Sequence, residues 1–231
     1  MEKTSRFARI SALLDRRQTD LTVVMEEVHK PMNMAAIIRT CDAVGIPKVH
    51  AIWPDDEMYI SGNTASGSQR WVDVEIHRSS ESCYQTLKQQ GFQLLVTHLS
   101  SDSVDFREID YTQPTAIIMG HEKEGVSDST LQLADKNITI PMLGAVQSLN
   151  VSAACAVLLY EAQRQRMAAG SYDNPEPIDP KIRHKKLFES CHPIFAKQCH
   201  QKGLPYPPLD QEGEIVADKA WWDRMRNLDK S

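Results

Sequence analysis

The apolar positions of this chain alternate between two rhythms, short β-rich runs and longer helical ones. Leu21 to Val28 (LTVVMEEV) reads as the first core strand and is broken by His29-Lys30-Pro31. A helical run follows, with Asn33 just ahead of its apolar positions and Gly45 as its C-cap. Lys48 to Trp53 is a second strand, stopped by Pro54-Asp55-Asp56, and a Gly/Ser/Thr/Ala loop spans Ser61 to Ser68. Trp71 to Ile76 alternates as a third strand, Ser80 to Gln90 is a helix closed by Gly91, and Phe92 to Thr97 is a fourth strand. A charged connection, Asp102 to Gln113, leads to Ala116-Ile117-Ile118-Met119 and Gly120. Then come a charged turn (His121 to Gly125), a helical patch (Ser127 to Ala134) and a short apolar segment (Ile138 to Pro141). A small-residue loop, Met142 to Asn150, opens a long helix from Val151 to about Arg166. Strands alternating with helices predict an α/β fold: a mostly parallel, twisted sheet with helices on both faces.

The flanks differ in texture. Phe7, Ile10, Leu13 and Leu14 fall at helical spacing, with Thr4 or Ser5 as cap, and Arg6, Arg9 and Arg16 occupy the other face. Ala168 to Pro180 reads as a linker. Lys181 to Gln201 reads as helical despite Pro193, Gly203 to Gly213 as a Pro-rich surface segment, and Asp218 to Leu228 as a last helix carrying Trp221 and Trp222. The division expected is an arginine-rich helical extension over 1–20, the α/β domain over 21–167, and a helical extension over 168–231.

Length and composition limit the function classes. The chain has 231 residues, enough for one α/β domain with an appendage. No apolar run is long enough to span a bilayer, and Met1 to Arg9 lacks the apolar region of a signal peptide. The five cysteines are an odd number in no framework spacing, which suits reduced thiols in a cytoplasm. The net charge of −5 argues mildly against a nucleic-acid binder. Its distribution is uneven, however. Arg6, Arg9, Arg16 and Arg17 cluster at the start, and Arg164 and Arg166 end the long helix. The first group reads either as a solvated helix face or as a grip on phosphates.

Two strands end in loops, and the second loop opens a helix; that is where open α/β sheets place ligands. Several residues there have a bland and a chemical reading. Asn33 is a good N-cap or an orienting amide. Arg39 is a surface partner for Asp42 or a site cation. Glu122 is a turn carboxylate beside Lys123 or a site acid, whereas Glu124 is expected to face solvent. Gly120 lets a backbone approach a ligand closely. His121, alone on its turn, has no assigned task. Ser148 or Asn150 is the N-cap of the long helix, or part of a loop that reads a ligand through backbone groups. Cys191-His192 and Cys199-His200 lack the C-x₂₋₄-C spacing of a zinc site. Gly62 to Gly67 (GNTASG) lacks the Gly-Lys-Ser/Thr ending of a phosphate loop and the G-x-G-x-x-G of a dinucleotide fold.

Three segments taken together are specific. They are Asn33 with six residues to Arg39; Gly120-His121-Glu122-Lys123-Glu124-Gly125-Val126-Ser127; and Ile140-Pro141-Met142 through Ser148-Leu149-Asn150-Val151-Ser152. In this order they resemble motifs one, two and three of the SPOUT RNA methyltransferases, over about residues 21–166. The flanks resemble the TrmH (SpoU) type, whose substrate is the D-loop guanosine at tRNA position 18. The resemblance implies a homodimer with a C-terminal trefoil knot. Its reaction is S-adenosylmethionine-dependent methylation of the ribose 2′-OH, without a metal. By the same resemblance Arg39, Asn33, Glu122, Ser148 and Asn150 are catalytic, and Thr97, Gly120, Ile140, Met142, Ser148 and Leu149 surround the cofactor. The arginines of the two clusters would then bind tRNA. A guanidinium is a poor base, so positioning and electrostatic stabilisation are the expected work of Arg39. The rival readings are a 2′-O-methyltransferase for ribosomal RNA or another tRNA ribose, and a catalytically silent RNA-binding module.

Overall fold

The computed structural model describes residues 5–53 and 68–226. The Pro54-Asp55-Asp56 stop, the Gly62 to Gly67 segment, Thr4 and Leu228 lie outside the described residues. The chain forms two compact units. One spans Gln18–Glu176; the other joins Met1–Arg17 to Pro177–Ser231. The two extensions expected at opposite ends of the chain are thus parts of one unit.

Among the described residues the larger unit is built on seven strands: β1 (Leu21–Glu26), β2 (Lys48–Ile52), β3 (Asp73–His77), β4 (Gln93–Thr97), β5 (Val104–Asp105), β6 (Thr115–Met119) and β7 (Lys136–Thr139). Their order is β3-β2-β1-β6-β4-β7-β5. Every pairing is parallel, for example Val24 with His50 and Val23 with Ile117. The central strands β1 and β6 are buried along their whole length, as continuous apolar runs on a two-sided sheet must be. One face packs Met34, Ile37, Ile38 and Cys41, all from a helix over Pro31–Ala43, against Cys155, Leu158 and Leu159. The latter three belong to a helix over Val151–Ala168. The other face is covered by Cys83, Tyr84 and Leu87. In chain order the helices are α1 (Arg6–Leu14), α2 (Pro31–Ala43), α3 (Ser80–Gln89), α4 (Asp128–Leu133) and α5 (Val151–Ala168). Among the described residues no helix is long and apolar enough to cross a membrane.

Arg166, expected to meet RNA, is fully buried. Its Nε donates to the Tyr111 carbonyl (2.8 Å), Nη1 to Gln18 Oε1 and Asp20 Oδ1 (3.1 and 2.5 Å), and Nη2 to the Asp20 and Gln113 carbonyls (3.1 and 3.0 Å). A guanidinium has five N–H groups, and all five are spent inside the fold. Arg17 is 2% exposed and likewise offers no surface to a phosphate. Arg164 is exposed but is held by Glu161 at 2.7 and 2.9 Å. Arg6, Arg9 and Arg16 are exposed.

In the smaller unit, Ser5 caps α1 through the Ala8 N–H, and Arg183 reaches Asp15 and Ser11 at 2.6 Å. Pro193 does not sit inside a helix. It opens a new one, so the run expected from Lys181 to Gln201 divides into α6 (Pro180–Cys191) and α7 (Pro193–Lys202). Both prolines occupy first-turn positions, where a missing N–H costs nothing. The last helix, α8, spans Lys219–Arg226. Its Trp221 and Met225 share a small core with Phe188, Ala196 and Cys199.

Candidate active site

The carboxyl ends of β4, β6 and β7 converge on one cavity of about 290 Å³. Thr97 ends β4, with His98 and Leu99 after it; Met119 ends β6, with Gly120 to Lys123 after it; Ile138 and Thr139 end β7, with Ile140 after them; Met142 and Gln147 to Leu149 close the rim. All six residues expected around a cofactor line this cavity: Thr97, Gly120, Ile140, Met142, Ser148 and Leu149. The crevice outside the carboxyl ends of parallel strands is the usual ligand position in such sheets.

The turn after β6 has two anchors. His121 and Gly125 exchange backbone hydrogen bonds at 2.7 and 3.0 Å, closing a tight loop. Gly125 adopts φ +74°, and a Cβ on Gly120 would lie 2.4 Å from the Gly125 backbone. Gly120 is therefore required by the closure of its own turn. His121 also has a task. Its Nδ1 accepts the Lys123 and Glu124 N–H groups, both at 3.1 Å, which puts its ring proton on Nε2. At the far end of the turn, Ser127 donates its N–H (3.3 Å) and Oγ–H (2.7 Å) to Glu26 Oε1. Glu26 Oε2 in turn accepts from Tyr84 at 3.0 Å. This buried carboxylate at the end of β1 was not singled out from the sequence; a glutamate closing an apolar strand carries no periodic signal.

The turn presents Glu122. Its Oε1 accepts from Asn33 Nδ2 (2.7 Å) and the Lys30 N–H (3.2 Å), and its Oε2 from the His29 N–H (3.4 Å). Asn33 Oδ1 then accepts from Asn150 Nδ2 at 3.3 Å. Three segments far apart in sequence thus form one chain of hydrogen bonds, Asn150 to Asn33 to Glu122. Burial acts to raise the Glu122 pKa, but the Asn33 amide and the backbone donors outweigh it and hold the carboxyl below its usual range. Glu122 does not pair with Lys123, and Glu124 is exposed as expected.

The helix caps sort the bland readings. Asn33 does not cap α2; Lys30 holds the cap position without a side-chain bond, and Pro31 opens the helix. Asn33 is therefore the third residue of the helix, buried, with its amide donating to Glu122. Asn150 does cap α5, accepting the Ser152 N–H at 2.9 Å, while its amide nitrogen serves Asn33. Ser148 lines the cavity and is not the cap. The approach to Glu122 is shaped by Glu27, which takes φ +52° immediately after β1. That left-handed residue turns the chain so that His29 and Lys30 aim their N–H groups at the carboxylate.

Arg39 stands apart. It is exposed, it is absent from the cavity wall, and among the described residues it has no hydrogen-bond or ion-pair partner, Asp42 included. Helix geometry gives the reason: six residues beyond Asn33 is about 240° around the axis, so the two side chains leave α2 on different faces.

Comparison with known proteins agrees with this architecture. Residues 20–160 match the model of the SpoU rRNA Methylase family, and residues 164–218 match that of the SpoU rRNA methylase C-terminal region. The chain is 54% identical over 223 residues to the tRNA (guanosine(18)-2′-O)-methyltransferase of Escherichia coli K12, covering 96% of this chain and 97% of that protein. It resembles the crystal structure of the A. aeolicus TrmH/SpoU tRNA modifying enzyme with a TM-score of 0.75 and 39% identity, over 82% of this chain and 96% of that one. It also resembles the SpoU methyltransferase AviRb of Streptomyces viridochromogenes in complex with the cofactor AdoMet. There the TM-score is 0.59 and the identity 29%, over 66% and 62% of the two chains. On this coverage, with the three motif segments joined by one chain of hydrogen bonds that reaches the cavity at Glu122, the chain belongs to the SpoU rRNA methylase family.

Proposed function

We propose that this protein transfers the methyl group of S-adenosylmethionine to the 2′-OH of the D-loop guanosine at tRNA position 18. The observation that carries the reading is the Asn150–Asn33–Glu122 chain, which ends on a residue of the strand-end cavity wall, Glu122. The name of the 54%-identical relative supports the tRNA guanosine, and the AdoMet-bound relative supports the cofactor. The cavity suits such a group. Its volume is near the lower end for small-molecule sites, about 300 Å³, and Ile140, Leu149 and Leu158 give it apolar walls. When bound, the cofactor supplies an electrophilic methyl group on a sulfonium.

The residues of the chain then divide the work. Thr97, Gly120, Ile140, Met142, Ser148 and Leu149 hold the methyl donor. Glu122, fixed by Asn33 and two backbone N–H groups, keeps one wall rigid and negative. Arg39 aligns a phosphate and the ribose and stabilises the charge that develops on the 2′-oxygen as its proton leaves. RNA is required because that hydroxyl is the nucleophile.

The protein works as a cytoplasmic homodimer. Leu143 is fully exposed, and Met32, Val146, Val157 and Tyr160 are more than a third exposed. Met32 lies on α2, Val157 and Tyr160 on α5, and these two helices pack on one another. Bare apolar side chains on neighbouring helices suit a second copy of the chain. In that dimer the outward-facing Arg39 is delivered to the partner's cavity. Membership of the family supports a trefoil knot in the C-terminal part of the domain. Arg6, Arg9 and Arg16 dock tRNA phosphates.

Incubating the pure protein with S-adenosylmethionine and an unmodified tRNA transcript, followed by mass mapping, tests the assignment. One 2′-O-methyl group at guanosine 18 is the expected product. Methylation of ribosomal RNA or of another ribose in its place would overturn the substrate, and no methylation of any RNA would overturn the activity.

A further inference from the structure

We propose that His50, His77 and Cys83 form a binding site for a single zinc-class transition-metal ion, separate from the strand-end cavity. His50 sits on β2, His77 ends β3 and Cys83 lies in the first turn of α3. In the parallel register Ile52 pairs with His77 and His50 with Glu75. Strand alternation puts His50, Glu75 and His77 on the same face, the one covered by α3. Their ligand atoms and the Cys83 sulfur all lie within 4.8 Å of one another. His50 Nδ1 and His77 Nε2 face each other at 2.9 Å.

Tetrahedral zinc holds imidazole nitrogens at about 2.0–2.1 Å and thiolate sulfur at about 2.3 Å. Neighbouring ligand atoms are then roughly 3.3–3.8 Å apart, so side-chain shifts of about 1 Å or less close the site. Two imidazoles and one thiolate are a soft, nitrogen-and-sulfur donor set, which selects zinc-class ions over magnesium or calcium. Glu75 Oε1 lies 3.7 Å from His77 Nε2, but its Oε2 is held by Lys48 Nζ at 2.9 Å, so three protein ligands carry the site and the fourth position is left open. His50 and Cys83 are buried. Binding releases one proton, from the Cys83 thiol. The proton shared between the imidazoles moves to the far nitrogen of its own ring, leaving both rings neutral. The two cysteine–histidine pairs weighed from the sequence form no comparable cluster among the described residues. His192 is instead occupied with the Gly213 carbonyl at 2.7 Å. An ion at His50, His77 and Cys83 would clip the edge strand β3 to β2 and α3, a structural role.

The test uses the untagged full-length protein, reduced and stripped by a chelator, then titrated with cobalt(II) as a spectroscopic stand-in for zinc. One equivalent should give intense tetrahedral d–d bands and a thiolate-to-cobalt charge-transfer band. Cys83→Ser should abolish the charge-transfer band while retaining tRNA methylation, which shows that it folds. His77→Gln should weaken zinc binding by about 10-fold or more, measured by competition with a chromophoric chelator. Absence of the charge-transfer band in the unaltered protein would overturn the proposal. So would a band that survives in Cys83→Ser, because the thiolate would then come from elsewhere.

Discussion

Replacing Arg166 by alanine separates a structural guanidinium from an RNA-binding one. The side chain satisfies five acceptors, three of them backbone carbonyls, of Asp20, Tyr111 and Gln113. Truncation removes the donor of the Tyr111 carbonyl and takes one donor each from the Gln18 amide oxygen, the Asp20 carboxylate and the Asp20 and Gln113 carbonyls, the last two keeping the Thr115 N–H and Oγ–H. Each buried acceptor left unpaired costs about 1–3 kcal/mol, but water entering the vacated volume recovers part of it. Asp20 is about one-third exposed, so solvent stabilises its charge and that loss is small. The net destabilisation is about 3–5 kcal/mol, the range for breaking one side of a buried pair. That lowers Tm by roughly 6–20 °C in a protein of this size. Thermal unfolding followed by circular dichroism measures it. Tracking KM for tRNA below the transition completes the assay: KM should hold, since no phosphate contact has been lost. An unchanged Tm together with a raised KM and a flatter salt dependence would refute this reasoning, because the guanidinium would then have to reach RNA.

Other outcomes follow from the same geometry. Glu122→Gln puts an amide N–H₂ among three donors, so kcat should fall by about 10-fold or more and stability by about 1–3 kcal/mol. The folded carboxyl titrates below its unfolded value, so its stabilising effect is present above the unfolded pKa and lost as pH falls through the folded one. The Tm gap between the unaltered protein and Glu122→Gln should therefore narrow below about pH 4, and a gap that widens in acid would contradict the assignment. Arg39→Ala should abolish methyl transfer and leave S-adenosylmethionine affinity, read by calorimetry, nearly unchanged. Glu27→Gly should be neutral or stabilise by up to about 1 kcal/mol, whereas Glu27→Val at the same φ should cost more than about 1 kcal/mol; equal Tm values for the two would argue against a strained backbone there.

Much of the fold was legible because long apolar runs and glycine caps are local signals. The strands around Val23, Val49, Leu95 and Ile117, and the helices over Ser80–Gln89 and Val151–Ala168, fall where the patterning puts them. Strand β5 has two residues and no period to read, so it sat unseen in the charged connection. Asn33 looked like a cap because the apolar run begins after it; Pro31 was the better marker, since its fixed φ favours the first helical position. Arg166 was read by its charge, yet it extends the buried stripe of Leu158, Leu159 and Ala162, one turn past the alanine. The motif residues were found by resemblance, but their meeting was not readable from spacing. Asn33 and Glu122 are 89 positions apart, and only the parallel sheet brings their turns together. Glu26 and His121 act through turn geometry, which leaves no mark in the residue pattern.

The reaction turns on one oxygen atom of the substrate, the guanosine 2′-oxygen. A tRNA transcript carrying 2′-deoxyguanosine at position 18 should accept no methyl group from S-adenosylmethionine, yet should inhibit methylation of unaltered tRNA as a competitor. Methyl incorporation undiminished by loss of that hydroxyl would contradict the account.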